Sequence, residues 1–420
     1  MTDDMPQLSV PRAPAAATGG PARLPLPLPP TRNARPVGRE VPGPGITPRA
    51  QGDARVARTA SALHEGITRL CPAAPGAVLS AELMGREGLP ALDPAGSADR
   101  DRRLHAALVA PVRHLLDAGG KRWRGHLMAR ILELFGAGGH HYAELVAACE
   151  VGHAGSLMVD DVEDASSLRR GSPAAHTVFG EATAINAGTA AYFSLDRAIR
   201  HTLPEDAELR LAVYETYLAG LRATHAGQAL DIQGHQEELE LALTTSDSRP
   251  LLRMLALTHR LKTGVQVRVV CEIGALAGRA TPEQRTALGE FGEALGLAYQ
   301  ITDDIGDLRG VTHRDRATKH AAEDLRNTKV TFPLAYAVAL LPRAEATALW
   351  RSLRAGPDER AVARAVRTIE DCGAVAACEK EAARLLDDAW AAVRPCLPDS
   401  PHTAALADMA AAVVRRTWTT

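Results

Sequence analysis

From Asp99 to about Val414, apolar residues recur at helical spacing between short breaks, and no alternating Val, Ile or Thr run is long enough for a sheet. A chain with this one periodicity buries its apolar surface by packing helix on helix. Composition agrees: hydrophobic residues make up 46% of the chain and aromatics only 4%, so the core must be built mostly from Ala, Leu and Val. The predicted class is all-α, a single-domain helical bundle. Helices are expected over Leu104 to Asp117, Tyr142 to Asp164, Ala207 to His235, Pro250 to Ala277, Thr281 to Asp307 and Phe332 to Leu341.

Residues 1 to about 55 are rich in Pro, Ala, Gly and Arg and lack apolar periodicity, the composition of a disordered segment. Arg with few acids also suits a targeting peptide, but that composition is common and carries little weight. A short helix over Val56 to Leu70 and a Pro/Gly-broken stretch follow. The expected organisation is a largely disordered extension over 1–98 and a catalytic domain over 99–420. Six cysteines form no C-x-x-C pair and no zinc-type Cys/His spacing, and read as reduced thiols. With no secretory signal and no run of about eighteen apolar residues, a cytoplasmic location without a membrane span is expected. A net charge of -2 offers no global basic field, so nucleic acid is not an expected partner, although local basic clusters can still hold a phosphorylated ligand.

Two acidic clusters of one form carry the chemistry: Asp160, Asp161 and Asp164, and Asp303, Asp304 and Asp307. On a helix the three carboxylates of each sit near 0°, 100° and 40°, on one side of the cylinder, where they repel unless a cation joins them. Each follows an apolar stretch. Oxygen ligands without His or Cys favour a hard ion such as Mg²⁺, which takes one or two carboxylates and completes its shell with water and phosphate oxygens. One such triplet could be a solvated acidic face; two in one chain are good evidence for metal. Basic groups suited to phosphate lie nearby, in Gly119-Gly120-Lys121-Arg122-Trp123-Arg124 and in Arg169-Arg170-Gly171. The lysine turn lacks Walker A spacing and a preceding strand, which argues against nucleotide hydrolysis.

The order of motifs resembles the trans-type polyprenyl synthetases, most closely geranylgeranyl diphosphate synthases. They run GGKRWRG (119–125), HAGSLMVDDVEDASSLRRG (153–171), GQALDI (227–232), KTG (262–264), YQITDDIGD (299–307) and KHAAEDLRNTKVTFP (319–333). The resemblance implies the isoprenoid synthase fold, helices around a central cavity, and a homodimer. It implies Mg²⁺ held mainly by Asp160, Asp164 and Asp303, with Asp161, Asp304 and Asp307 completing two acidic walls. Arg169, Lys262, Gln228 and Lys319 would grip an allylic diphosphate (dimethylallyl, geranyl or farnesyl). Lys121, Arg124, His153 and Arg170 match the isopentenyl diphosphate site, and Lys329 the lysine of a closing segment. The implied reaction is head-to-tail condensation, with departing pyrophosphate as the base that takes the final proton.

Taken singly, His153 also reads as a core histidine, Lys262 as a snorkelling lysine and Gln228 with Asp231 as a helix-face hydrogen bond. Product length would depend on what blocks the apolar tunnel below Asp160. Gly155 and Ser156 are small, so no bulky residue closes it one turn down, and Tyr192, Phe193 and His225 are the candidate floor. Geranylgeranyl diphosphate is the expected product. The sequence departs from the family at Gly125, where Pro is usual, at Thr318 before Lys319, and at Asn327-Thr328, where Gly is common. The alternatives are a terpene cyclase, argued against by the intact isopentenyl-site residues, and a noncatalytic regulatory subunit, argued against by the intact acidic motifs.

Overall fold

The computed structural model describes residues 48–85, 97–138, 140–203, 205–313, 316–319 and 321–418, with side chains undescribed for 48–55 and 311–319. Helices dominate, as the single periodicity requires. The first acidic cluster closes a helix over Ala143–Glu163, and the second lies near the end of a helix over Pro282–Arg309. That second helix starts at a capping box, in which the Thr281 hydroxyl accepts from the Gln284 N–H at 3.3 Å and the Gln284 side chain accepts from the Thr281 N–H at 3.0 Å. Asp206 likewise caps the long helix Ala207–Gln233 by accepting from the Leu209 N–H at 2.9 Å.

These helices pack into one apolar core that includes Leu127, Met128, Ile131, Met158, Leu255, Leu295 and Ile301, all essentially inaccessible. The first acidic helix lies against Pro48–Leu70 and Glu181–Ala191; the second lies against Val265–Ala277 and Ala374–Val393. The segment expected as a short helix from Val56 begins at Pro48, and Leu63, Ile67 and Leu70 enter the common core. Packed residues therefore lie upstream of residue 99. The reason is that the helix presents an apolar stripe at four- and three-residue spacing, and the first acidic helix covers it.

Among the described residues the strands form two short antiparallel hairpins. Leu168–Arg169 pairs with Ser172–Pro173, and Val311–His313 pairs with Arg316–Lys319 through an irregular register. The first sets Arg169 and Arg170 just beyond the first acidic cluster. Among the described residues no helix is long and apolar enough to cross a membrane. Residues 1–47 and 86–96 of the expected disordered extension lie outside the described residues.

Candidate active site

Asp160 receives cations from two directions. Its Oδ1 accepts from Lys262 Nζ at 2.9 Å and from Gln228 Nε2 at 3.0 Å, and its Oδ2 lies 3.7 Å from the Arg169 guanidinium. Burial pushes this carboxyl up, but Lys262, Arg169 and Lys329 outweigh that and hold it down at about 2. Asp164, at the helix end, lies 3.6 Å from Lys329 Nζ. Asp161, a third of a turn round the helix, is buried and accepts from Arg169 Nε at 2.7 Å. Burial raises its pKa despite that guanidinium. One cation thus spans the site: burial alone would lower the Arg169 pKa, but Asp161, Asp160 and Asp303 more than offset it.

Lys262 reaches Asp160 from a π-helical turn, Arg260–Gly264, inserted between the helices Arg249–His259 and Val265–Ala277. Such turns carry one extra residue and often mark functional positions. Gly227 makes room for it: a Cβ there would lie 2.3 Å from the Lys262 backbone nitrogen. Asp231, one turn beyond Gly227 on the same helix, accepts from Lys262 Nζ at 2.7 Å and from Lys329 Nζ at 2.8 Å. The two lysines hold Asp231 well below the usual carboxylate range in spite of its burial. Asp231 was legible only as a possible partner of Gln228; its real role here is to join two lysines from distant segments.

The second cluster is arranged differently from the expected acidic wall. Asp303 sits at the surface of the site, 37% exposed, with its Oδ1 2.5 Å from the Arg416 guanidinium. Asp304 is turned into the bundle, where its Oδ2 accepts from His259 Nε2 at 3.0 Å and the Phe332 N–H at 3.2 Å, and its Oδ1 from Gln300 Nε2 at 3.1 Å. Asp307 is buried and accepts from the Asp324 N–H at 3.2 Å. The helical angles explain the middle residue: about 100° from the first, it points inward while the first faces the site. His259 and Arg416 had no local signal, lying 45 and 113 residues from their partners.

On the basic side, Arg124 is buried, with its guanidinium 4.6 Å from the Trp123 ring and 5.8 Å from Tyr299. His153 is held neutral, its pKa pushed well down by burial and then by Arg124, Arg170 and Arg169. Arg124 Nε, His153 Nδ1 and Asp161 Oδ2 are buried without hydrogen-bond partners. This is unmet polar capacity beside the acidic cluster. Arg170 instead braces the turn before Lys121, donating to the carbonyls of Leu115 at 3.1 Å and Gly119 at 2.5 Å. Lys121 Nζ donates to the Arg416 carbonyl at 3.1 Å. Lys319 ends a hairpin strand, and its side chain lies outside the described part of the structure.

The proposed floor divides. Tyr192 is half-buried, its ring 5.8 Å from and perpendicular to His225, and burial followed by Glu163 pushes its hydroxyl up to about 12. Phe193 is 72% exposed and His225 is exposed as well, so neither closes an interior tunnel within this chain. Of the two neighbours, only Tyr192 is turned partly inward. Gly155 also has another use. It crosses Gly188 so closely that a Cβ would lie 2.4 Å from the Gly188 carbonyl oxygen. The small residue is demanded by helix packing. Tyr217, which no motif flagged, donates to the Tyr192 carbonyl at 2.6 Å and lies beside Gly152, deeper than Asp160 on the same helix.

Among the described residues, no three His, Cys, Asp or Glu side chains converge into a cation cage. Asp160, Asp164 and Asp303 instead offer separate oxygens amid the cations Lys262, Arg169, Lys329 and Arg416. This donor set fits hard divalent ions that bridge one or two carboxylates to ligand phosphate oxygens.

The Polyprenyl synthetase family model matches residues 105–369. A farnesyl diphosphate synthase of Geobacillus stearothermophilus is 35% identical over 234 residues, 54% of this chain and 74% of that protein. A geranylgeranyl pyrophosphate synthase of Penicillium janthinellum is 30% identical over 281 residues, 67% of this chain and 71% of that protein. A polyprenyl synthase from Caulobacter crescentus, solved in complex with calcium and isoprenyl diphosphate, shares 28% identity at a TM-score of 0.67, covering 87% of this chain and 98% of that one.

Proposed function

The chain belongs to the polyprenyl synthetase family, and from that premise we propose that it elongates an allylic diphosphate with isopentenyl diphosphate in a Mg²⁺-dependent reaction, yielding mainly geranylgeranyl diphosphate. The observation that carries this reading is the convergence of Lys262, Arg169 and Lys329, from three separate segments, on the carboxylates of Asp160, Asp161 and Asp164. A mixed lattice of this kind binds a diphosphate once divalent ions take over part of the carboxylate charge. Asp160, Asp164 and Asp303 would hold those ions, which when bound supply Lewis-acid stabilisation of the departing pyrophosphate.

The protein's own part is electrostatic and positional. Arg169, Lys262 and Lys329 are already fixed by carboxylates, so little reorganisation is needed when negative charge develops on the leaving group. Gln228 adds a neutral donor at Asp160. Arg124 and His153, with unused buried nitrogens, and Lys121 would take the second diphosphate. Metal identity as Mg²⁺ rests on the all-oxygen donor set.

Geranylgeranyl as product is supported by the small Ser156 about one turn before Asp160 and by Tyr192 with Tyr217 as deeper obstacles. Similarity to a protein named geranylgeranyl pyrophosphate synthase adds support. A homodimer is supported by an apolar stripe on Ala207–Gln233, where Leu211, Leu218 and Ile232 are each more than half exposed and fall at seven-residue multiples. Incubation with Mg²⁺, isopentenyl diphosphate and dimethylallyl, geranyl or farnesyl diphosphate should give a twenty-carbon diphosphate as the main product. A cyclic hydrocarbon formed without consumption of isopentenyl diphosphate would overturn the reading. Asp160→Ala should nearly abolish turnover with the fold retained.

A further inference from the structure

The segment around Arg416 enters the site. After the helix Pro401–Val414 the backbone turns through Arg416, whose φ of +61° is the left-handed conformation more cheaply adopted by Gly. The N–H groups of Thr417 and Trp418 return to the Ala412 carbonyl at 2.9 and 3.1 Å. The turn delivers five contacts. The Arg416 guanidinium lies 4.8 Å from the Tyr299 ring and 2.5 Å from Asp303 Oδ1. The Arg416 carbonyl accepts from Lys121 Nζ, and Trp418 Nε1 donates to the Lys121 carbonyl at 3.2 Å. The Trp418 ring packs on buried His126 at 5.6 Å. Tyr299 therefore stands between Arg416 and Arg124, joining the second acidic cluster to the basic turn.

A strained arginine that pairs with the exposed carboxylate of an acidic cluster does what a cation would do there. We propose that Arg416 is a placeholder for the divalent ion at Asp303: it neutralises Asp303 before the ion arrives, is displaced by it, and then adds its charge to the diphosphate-binding cations around Lys121 and Arg124. This rests on the diphosphate-elongating reading given above. Because Trp418 is two residues away and bonded to Lys121, the displacement moves its indole.

The test uses the full-length protein and Mn²⁺ as the probe, with free Mn²⁺ followed by electron paramagnetic resonance and tryptophan emission read in parallel. For Mn²⁺ alone, Arg416→Gln should bind roughly two- to fivefold more tightly than the wild type, the competition expected of a partly exposed ion pair. For inorganic pyrophosphate in saturating Mn²⁺, the same variant should bind more weakly. The wild-type emission change should be absent in Trp418→Phe, and Arg416→Lys should lie between wild type and Arg416→Gln. Circular dichroism establishes that the variants are folded. The opposed signs are the signature, since a turn broken by the substitution would not improve metal binding. Unchanged or weakened Mn²⁺ binding in Arg416→Gln overturns the proposal, and so does undiminished pyrophosphate binding. If the wild type elongates an allylic diphosphate while either result is found, only the Arg416 assignment fails. If it neither binds Mn²⁺ nor elongates, the functional reading fails with it.

Discussion

At the residue scale, departures from the family pattern have physical reasons that neighbours supply. Gly125 stands where Pro is usual, and its N–H donates to the buried Glu150 carboxylate at 2.7 Å. Proline has no such hydrogen. Gly125→Pro should therefore destabilise by about 1–3 kcal/mol, the cost of stranding a buried acceptor, read as a shift of the urea midpoint. Thr328, where Gly is common, adopts a φ of +56°, so the position keeps the glycine-type backbone without the glycine. Asp160 makes a prediction about pH. Its folded-state pKa, about 2, lies below the ordinary aspartate value, so the stability it contributes is full above about pH 4 and is lost as pH falls toward 2. Asp160→Asn should flatten that part of the profile, and an equally steep acid loss of unfolding free energy in the variant would contradict the assignment.

At the element scale, close helix contacts decide where the charged groups of the candidate site stand. Gly227 lets the long Gln228-bearing helix touch the π turn that carries Lys262. In Gly227→Ala the methyl would collide with backbone, so the turn must move and Lys262 must shift relative to Asp160 and Asp231. The expected result is a loss of about 1–3 kcal/mol in stability together with a fall in kcat larger than the rise in KM, measured on folded protein. Gly155 makes the complementary case. If its smallness served the product tunnel, Gly155→Ala would shorten the product; because it serves the crossing with Gly188, the variant should lose stability without a change in chain length. Product analysis by reversed-phase chromatography separates these outcomes.

At the scale of the whole molecule, the exposed stripe of Leu211, Leu218 and Ile232, with Phe193 exposed near the same helix through Tyr192 and His225, is more apolar than a solvated surface requires. Placing a charge in it, as in Leu218→Glu, should convert a dimer to a monomer in sedimentation equilibrium while leaving the helical circular dichroism signal intact. A wild type that sediments as a monomer would remove the dimer proposal.

The all-α class, the main helix positions to within a few residues, and the order of charged motifs could be read from the sequence because each is a short-range property: periodicity, capping residues and spacing within one or two turns. Ala207–Gln233 and Pro282–Arg309 fall close to their expected limits for this reason. The same local geometry placed Asp160 and Asp303 at helix ends. What a carboxylate faces is a long-range matter. Two aspartates in identical motifs differ in role because Asp161 meets Arg169 whereas Asp304 meets His259, Gln300 and the Phe332 backbone. Lys329 and Lys262 share Asp231 across 98 and 31 residues, and Arg416 reaches Asp303 across 113. Such pairings arise only when helices dock, since apolar burial fixes their relative positions without any signal at the charged residues themselves.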